Sequence, residues 1–389
     1  MVFLKKIVNK IDFVDFTAVL IMISGLLNPC FFSLSPNRIV SGTPLFIQDI
    51  SGRSCFVFFL ILGLVILRAE KRLIKILKFF FVWALFYFLL FILGKFGSEE
   101  VIKNPSARFS PSYGFWIFFA GVSFFYASYF GREKQFFKKL IFRFVLIFPF
   151  FVFLFLGVFS DFALGREFVF NSERFFMEVK THIFISYGSV LAGCLIGIPL
   201  GVYTFKFANQ GEKVFYFLNI IQTIPGIAFF GLIMVPLSIL SSNLSFLAKA
   251  GISGTGTAPA VIVLFGYSLL PIVKNTLEGL KIIDRAVIES GKGMGMGKFD
   301  IFWKIEFPLS LPVILNGIRT ALVHCVGSTA IAALIGAGGL GVFIFQGIGQ
   351  GATDLILLGT FPLIIIAIIT DKIMEFFTEI SKGPEALGK

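Results

Sequence analysis

The chain has 389 residues, of which 57% are hydrophobic and 14% are charged, and its mean hydropathy is +0.93. Soluble domains carry about 25% charged residues, so this composition excludes a soluble protein and requires a surface that faces lipid. The net charge of +12 does not indicate a nucleic-acid partner, because the basic residues lie between apolar runs rather than in one patch. The four cysteines are scattered and neither histidine lies at zinc-ligand spacing, so we expect no metal site.

About ten apolar runs approach the length of about 20 residues that a membrane-spanning helix needs, which predicts an all-α integral membrane protein. The predicted spans are 14–33, 54–67, 76–94, 113–130, 142–160, 182–205, 214–240, 259–280, 312–335 and 354–376. Basic residues precede the first run, so a cleaved signal peptide is the alternative interpretation there. The length of the run and the absence of a small-residue cleavage site favour a retained span.

The distribution of Lys and Arg predicts the orientation of these spans. With the N-terminus placed in the cytoplasm, 24 basic residues fall in inner loops and 8 in outer loops. We therefore expect a multi-pass protein with both termini in the cytoplasm.

The composition changes near residues 161–181, a mixed polar stretch between spans. Before this stretch the spans are rich in phenylalanine, and after it glycine and proline become frequent. Small residues allow helices to approach closely, and prolines introduce kinks. The sequence therefore predicts an accessory N-terminal region, 1–165, and a packed core with a pathway, 166–389.

Polar residues inside the predicted spans are candidates for lining a pathway. The candidates are Gln222, Thr223, Pro225, Ser328 and Thr329. Hydrogen bonds between helices are the alternative interpretation of their side chains. His182 is expected at a helix end, and Arg319 is expected to extend towards the membrane surface.

The cytoplasmic connection 281–308 is the most informative segment of the chain. Two short helices are predicted here, separated by four glycines at alternate positions, and Phe299, Phe302 and Trp303 share one face of the second helix. Pro308 and Pro312 are expected to end that helix and begin the next span. No buried strand precedes the glycines and no P-loop pattern follows, so we interpret the segment as a docking surface for a soluble protein rather than a nucleotide site.

This segment resembles the cytoplasmic signature of ABC importer permeases: EAA, three residues, G, nine residues, then I-x-L-P. Glu289, Ser290 and Gly291 stand at the EAA positions, Gly295 at the single glycine, and Ile305 and Pro308 at the conserved ends of the last element. Here Ser and Gly replace the two alanines, and Phe replaces the leucine. The resemblance covers roughly residues 180–375, and the segments LNIIQTIP and IGAGGLG place it nearest the glycine betaine, choline and carnitine branch. One subgroup of that branch carries a similar extra hydrophobic N-terminal half.

The resemblance implies that the last five to six spans form a type I importer core that carries a quaternary-ammonium osmoprotectant. The implied location is the bacterial cytoplasmic (inner) membrane. The implied partners are cytoplasmic ATPase subunits, a periplasmic or lipid-anchored binding protein, a second permease copy and membrane lipid. It also implies a transport subunit with no catalytic residue and no cofactor, since the ATPase is a separate protein. Amino acids or another small solute are the alternative cargo.

Two other classes of protein are less consistent with the sequence. An ion-coupled secondary transporter would need a carboxylate in the middle of a span and a repeat between the halves, and the sequence shows neither. A membrane-embedded enzyme would need a cluster of nucleophilic or metal-ligating residues, and no HExxH or GxSxG motif is present.

Overall fold

The structure is a computed structural model that describes residues 13–37, 40–52, 72–130, 148–149, 152–153, 156–249 and 251–382. The predicted span 54–67 lies outside the described residues, as does most of the predicted span 142–160. The chain divides into two compact units, Met1–Phe170 and Asn171–Lys389.

The described part of the first unit consists of five helices and three short strands. They are α1 (Phe13–Leu26), β1 (Phe32–Ser35), β2 (Thr43–Leu45), α2 (Ile47–Ser51), α3 (Arg72–Lys103), β3 (Arg108–Pro111), α4 (Tyr113–Phe130) and α5 (Ala163–Phe170). Phenylalanine forms much of the core of this unit. Phe32 stacks on Phe109 with ring centroids 4.4 Å apart, and Phe109 stacks on Phe162 at 5.6 Å. The phenylalanine-rich sequence thus supplies interior packing as well as lipid-facing surface.

The strands form an antiparallel sheet in the order β2–β1–β3, with Phe32 paired to both Leu45 and Pro111. This sheet is a local departure from the all-α expectation. Strands of three or four residues are too short to show an alternating pattern, and β1 and β3 are far apart in sequence.

The second unit is helical throughout its described residues. Its elements are α6 (Ser172–Lys206), α7 (Ala208–Thr223), α8 (Gly226–Asn243), α9 (Ser245–Lys249), α10 (Thr257–Lys281), α11 (Arg285–Gly293), α12 (Lys298–Ile301), a π-helical turn (Phe302–Glu306), α13 (Phe307–Thr329), a 3₁₀ helix (Ile331–Ile335), α14 (Gly341–Gln350) and α15 (Thr353–Ser381). Helix α10 lies at the centre and packs against α6 on one side and α13 on the other. Glycines allow the close contact with α6, since a Cβ on Gly201 would lie 2.5 Å from Cβ of Thr276.

Six helices among the described residues are long and apolar enough to cross a membrane. They are Leu77–Lys103, Ser172–Lys206, Gly226–Asn243, Thr257–Lys281, Lys298–Thr329 and Thr353–Ser381. Phe13–Leu26 and Tyr113–Ala127 are shorter apolar helices at the positions of two further predicted spans. The prediction of a multi-spanning helical membrane protein is confirmed.

The predicted single span 214–240 is wrong, because the chain breaks there into α7 and α8. Ile224 is extended (φ −71°, ψ 124°) and Pro225 follows at φ −58°. A proline has no N–H to continue a helix, and it forces the preceding residue out of the helical region. Most residues close to the break, such as Ile220, Ile221, Ile224 and Ile227, are apolar, so hydropathy alone predicts one continuous span there.

The prediction that Pro308 and Pro312 begin a new helix is also wrong, because the helix is continuous from Lys298 to Thr329. The π-helical turn accommodates Pro308, with the N–H of Phe307 bonded to the carbonyl of Phe302, five residues back. This wider turn leaves space for the proline ring, and the helix continues although Pro308 has no N–H to donate.

Candidate functional site

Helix α11 begins the segment that the sequence singled out. The carboxylate of Asp284 accepts a hydrogen bond from the N–H of Ala286 at 2.9 Å, which caps the helix. Glu289 and Ser290 are both exposed on this helix, and the Ser290 hydroxyl donates to the Ala286 carbonyl. The helix extends to Gly293 and includes Gly291, the first of the four glycines, so the chain reverses later than the sequence predicts.

The reversal after α11 has the geometry of a Schellman motif. The N–H of Met296 bonds to the carbonyl of Gly291 at 3.1 Å, and the N–H of Gly295 bonds to that of Lys292 at 2.9 Å. Gly295 has φ +82°, a conformation that L side chains rarely adopt. This position in the turn therefore requires glycine.

The two ends of the segment pack against each other. Gly291 is buried, and a Cβ there would lie 2.8 Å from Cδ1 of Ile305. Ile305 is half-buried, and Pro308 is exposed at the start of α13. Gly291 and Ile305 thus form the contact that fixes α11 against the helix beginning at Lys298.

Apolar side chains project from the outer surface of the segment. They are Val287, Met294, Phe299 and Trp303, with 42%, 74%, 76% and 50% of their surfaces exposed. We call these four residues the 287–303 ridge. Phe302, predicted to share this face, is half-buried, and the ammonium of Lys206 lies over its ring, 5.6 Å from the centroid.

The charges around the ridge have both signs. Lys304 pairs with Asp300 at 2.6 Å, and Glu289 and Lys292 are exposed. An exposed apolar ridge with charges of both signs is suited to binding another protein.

Three of the five predicted pathway residues lie at the break between α7 and α8. The Gln222 amide donates to the carbonyl of Tyr267 at 2.7 Å, and the Tyr267 hydroxyl donates to the carbonyl of Ile224 at 2.7 Å. These bonds hold the interrupted backbone against α10. Thr223 and Pro225 are exposed beside the break.

The other two candidates, on α13, differ from each other. Thr329 is fully buried and donates to the carbonyl of Cys325, whereas Ser328 is half-buried. The structure therefore places Thr329 in the packing of the helix and away from any open surface.

The sequence analysis missed a buried polar network that links α6 to the glycine-rich turn before α14. Glu178 accepts a hydrogen bond from the N–H of Gly339 at 2.6 Å. His182, fully buried, accepts from the N–H of Leu340 at its Nδ1 (3.3 Å), so its Nε2 donates to the carbonyl of Val326 (3.0 Å). We call these contacts the 178–182 clamp.

The expectation that His182 lies at a helix end is wrong, because α6 begins ten residues earlier. The polar stretch that precedes the apolar run is itself helical. The sequence did contain a signal for the 178–182 clamp. An acidic residue and a histidine lie four positions apart on one helix, and a glycine-rich turn occurs elsewhere in the chain.

Arg319 also differs from its expected role. Its guanidinium binds both carboxylate oxygens of Asp371, at 2.6 Å and 2.8 Å, and lies 3.7 Å from Glu375. This bidentate pair joins α13 to α15, so Arg319 does not need to reach the membrane surface for a partner.

Two family models match the chain on either side of the unit boundary. Residues 189–381 match the binding-protein-dependent transport system inner membrane component, and residues 9–165 match the N-terminal domain of the ABC transporter permease YehY.

Several curated permeases resemble the second half of the chain. The Bacillus subtilis glycine betaine/carnitine/choline permease protein OpuCD is 38% identical over 54% of this chain and 86% of its own length. The B. subtilis choline permease protein OpuBD is 38% identical over 53% of this chain and 84% of its own length. The Salmonella typhimurium osmoprotectant import permease protein OsmW is also 38% identical, over 50% of this chain and 85% of its own length.

Among solved structures, the inward-facing MetNI methionine ABC transporter aligns with a TM-score of 0.46 at 23% identity, over 53% of this chain and 94% of that chain. The sequence relationship to the curated permeases, each covered over most of its length, is the decisive finding. The chain belongs to the family of binding-protein-dependent transport inner membrane components, the permease subunits of ABC importers.

Proposed function

We propose that the segment 285–306 is the docking site through which this permease receives the motion of its ATPase. Permeases of this family partner with ATPase subunits. The observation that supports the proposal is the exposed 287–303 ridge, held rigidly by the Gly291–Ile305 contact and the turn at Gly295. Within this site, Glu289 and Ser290 lie exposed where they would contact the ATPase.

The proposal places this segment and both termini in the cytoplasm. The excess of Lys and Arg in the loops on that side of the predicted topology supports this orientation. The ATPase and its ATP are then on the same side of the membrane as the ridge.

The working complex is proposed to contain two copies of this chain, two ATPase subunits and an external binding protein that delivers the solute. ATP-driven closure of the ATPases would turn the two docking segments and open the path outward. Return to the inward-open state would release the solute inside. Gln222, Thr223, Pro225 and Ser328 are proposed to lie along this path, and Thr329 to support it from the buried side.

The proposed cargo is glycine betaine or a related quaternary-ammonium osmoprotectant. Support comes from the relatives, whose names specify glycine betaine, carnitine or choline, at 34–40% identity over most of their lengths. The affinity for the cargo would reside mainly in the binding protein, since an aromatic cage suits a quaternary ammonium group.

Uptake of labelled glycine betaine tests this function. Bacteria that lack other osmoprotectant transporters would express the chain with its ATPase and binding protein. Wild type should accumulate the label in an ATP-dependent manner. Gly295→Val should reduce the uptake rate by about tenfold or more, because a β-branched residue is strained at positive φ.

Gly349→Ala is the control, since Gly349 is exposed and helical, lies outside the segment 285–306, and an added methyl group would meet only open space. Its uptake should equal that of wild type. Normal uptake by Gly295→Val at normal abundance would contradict the coupling role of the segment. An assembled wild-type complex that imports no betaine but hydrolyses ATP would contradict the cargo, and amino acids would be tested next.

A further inference from the structure

One face of α13 carries polar side chains at intervals of four residues. Asn316, Thr320 and His324 are exposed, and Ser328 is half-buried. We call these four residues the 316–328 face. Twelve residues of helix rise about 18 Å, which is more than half of the roughly 30 Å hydrocarbon core of a bilayer.

The hydrogen-bonding capacity of this face is largely unused. Thr320 donates to the backbone carbonyl of Asn316. Within the described part of the chain, the Asn316 amide, the His324 ring nitrogens and the Ser328 hydroxyl have no hydrogen-bond partner. The ring of His324 packs against that of Tyr267 in a T-shaped arrangement, at a centroid distance of 5.7 Å.

Lipid is a poor neighbour for such a face, because each unpaired polar group in hydrocarbon costs several kcal/mol. The surface of α15 contrasts with it. Ile364, Ile365, Ile368 and Ile369 are all exposed there, at 45–55%, and form an apolar surface suited to acyl chains. The second unit thus has one exposed surface for lipid and another that requires polar surroundings.

An open groove of about 610 Å³ lies along the part of this face from Asn316 to His324. Its lining includes Asn316, Thr320 and His324 together with the Arg319–Asp371 pair. Glu375 and Lys372 pair beside it, so the charges of this cluster cancel. A groove of this volume holds a small solute with water, and its contacts would be hydrogen bonds rather than the attraction of a net charge.

We propose that the 316–328 face lines the water-filled path along which a small hydrophilic solute crosses the membrane. The inference rests on the proposed function for the movement of a solute, and it does not depend on which solute is carried. It assigns Asn316, Thr320 and His324 to the path together with Ser328, one of the two pathway residues that the sequence suggested on this helix.

Reactivity of introduced cysteines tests the path. The four native cysteines would be replaced by serine. Single cysteines would then be placed at Asn316, Thr320 and His324 in the full chain, assembled with its ATPase and binding protein in membranes. Ile365→Cys and Ile369→Cys are matched controls, since both positions are exposed on the apolar face of α15. Only variants that retain ATP hydrolysis in the complex would be scored.

A charged, water-soluble methanethiosulfonate is the probe, because it reacts with thiolates in water and not in lipid. At two or more of the three path positions it should react at least about tenfold faster than at the controls, and saturating solute should slow that reaction. Rates equal to the controls would overturn the inference. Spontaneous disulfides between copies without labelling would also overturn it, because the face would then be a contact between subunits.

The two proposals fail in distinguishable ways. Labelling needs no transported solute, so rapid labelling without betaine uptake would leave the path in place and reject the cargo. Betaine uptake with no labelling of the 316–328 face would leave the cargo in place and reject the path.

Discussion

Glu178 shows what a single side chain does in this fold. It is 7% exposed, and it accepts a hydrogen bond from the N–H of Gly339 while Arg174 lies 3.9 Å from its other oxygen. Gly339 has φ +84° and lies between the 3₁₀ helix and α14, so its N–H is outside the hydrogen-bond pattern of either helix. The Glu178 carboxylate therefore serves as the acceptor that the backbone does not provide for this N–H.

Replacing Glu178 with alanine should therefore destabilise the second unit. The N–H of Gly339 would be buried without a partner, at a cost of about 1–3 kcal/mol. Glu178→Gln keeps an acceptor oxygen and should cost less. The measurement is the Tm of the purified protein, with exposed Lys180→Ala as the control. A Glu178→Ala protein as stable as that control would refute the role assigned to the 178–182 clamp.

At the scale of elements, the contact between α6 and α10 depends on residues too small to separate the two helices. A Cβ on Gly201 would lie 2.5 Å from Cβ of Thr276, whereas a Cβ on Gly188, on the same helix, would meet nothing within 4 Å. The two positions therefore form a matched pair for testing helix packing.

Gly201→Leu should cost more than the roughly 1–3 kcal/mol typical of overpacking, because the backbones themselves would have to separate. We expect aggregated or poorly folded protein after extraction into detergent, with insertion into the membrane unchanged. Gly188→Leu should give wild-type yield and Tm. If both variants behave alike in size-exclusion chromatography and thermal unfolding, the packing account of α6 and α10 is incorrect.

The elements also show which parts of the fold can be predicted. Spans such as 259–280 follow from hydropathy alone, because lipid imposes a uniform requirement on each residue. The break at Pro225 could not be predicted in this way, because its apolar neighbours resemble a continuous span. The π-helical turn before Pro308 could not be predicted either, because the helix adjusts locally to the proline and no sequence pattern indicates that adjustment.

The candidate site likewise has parts that could be predicted from the sequence and parts that could not. The glycine turn at Gly295 could be predicted, since a helix reversal within a few residues leaves few alternatives to glycine. The 178–182 clamp and the Arg319–Asp371 pair join residues 158 and 52 positions apart, and one sequence does not specify such contacts.

At the scale of the whole molecule, the two units have separate cores, and a different family model matches each one. We propose that the region 1–165 is accessory and that 166–389 is a self-sufficient permease core. Relatives such as OpuCD match only the second half of the chain and are covered over 86% of their own length. A permease core without the first half therefore occurs in the family.

Deletion of residues 1–165 should leave a core that inserts into the membrane and binds its ATPase. The measurement is co-purification of the ATPase with the truncated chain, compared with the full chain at equal abundance. The core keeps the 287–303 ridge and its supporting contacts, so equal recovery is expected. Loss of ATPase from a core that is properly inserted would show that the first unit is part of the permease structure.

Binding of the purified ATPase to this permease in lipid nanodiscs tests the central claim most directly. Phe299→Ala combined with Trp303→Ala removes the two largest exposed side chains of the ridge. Truncation of one such anchor costs about 2 kcal/mol or more, and about 4 kcal/mol for the pair corresponds to a several-hundredfold fall in affinity. Ile365→Ala with Ile369→Ala removes exposed side chains outside the ridge and should leave the affinity unchanged. An unchanged Kd in the Phe299→Ala, Trp303→Ala permease would contradict the assignment of 285–306 as the docking site.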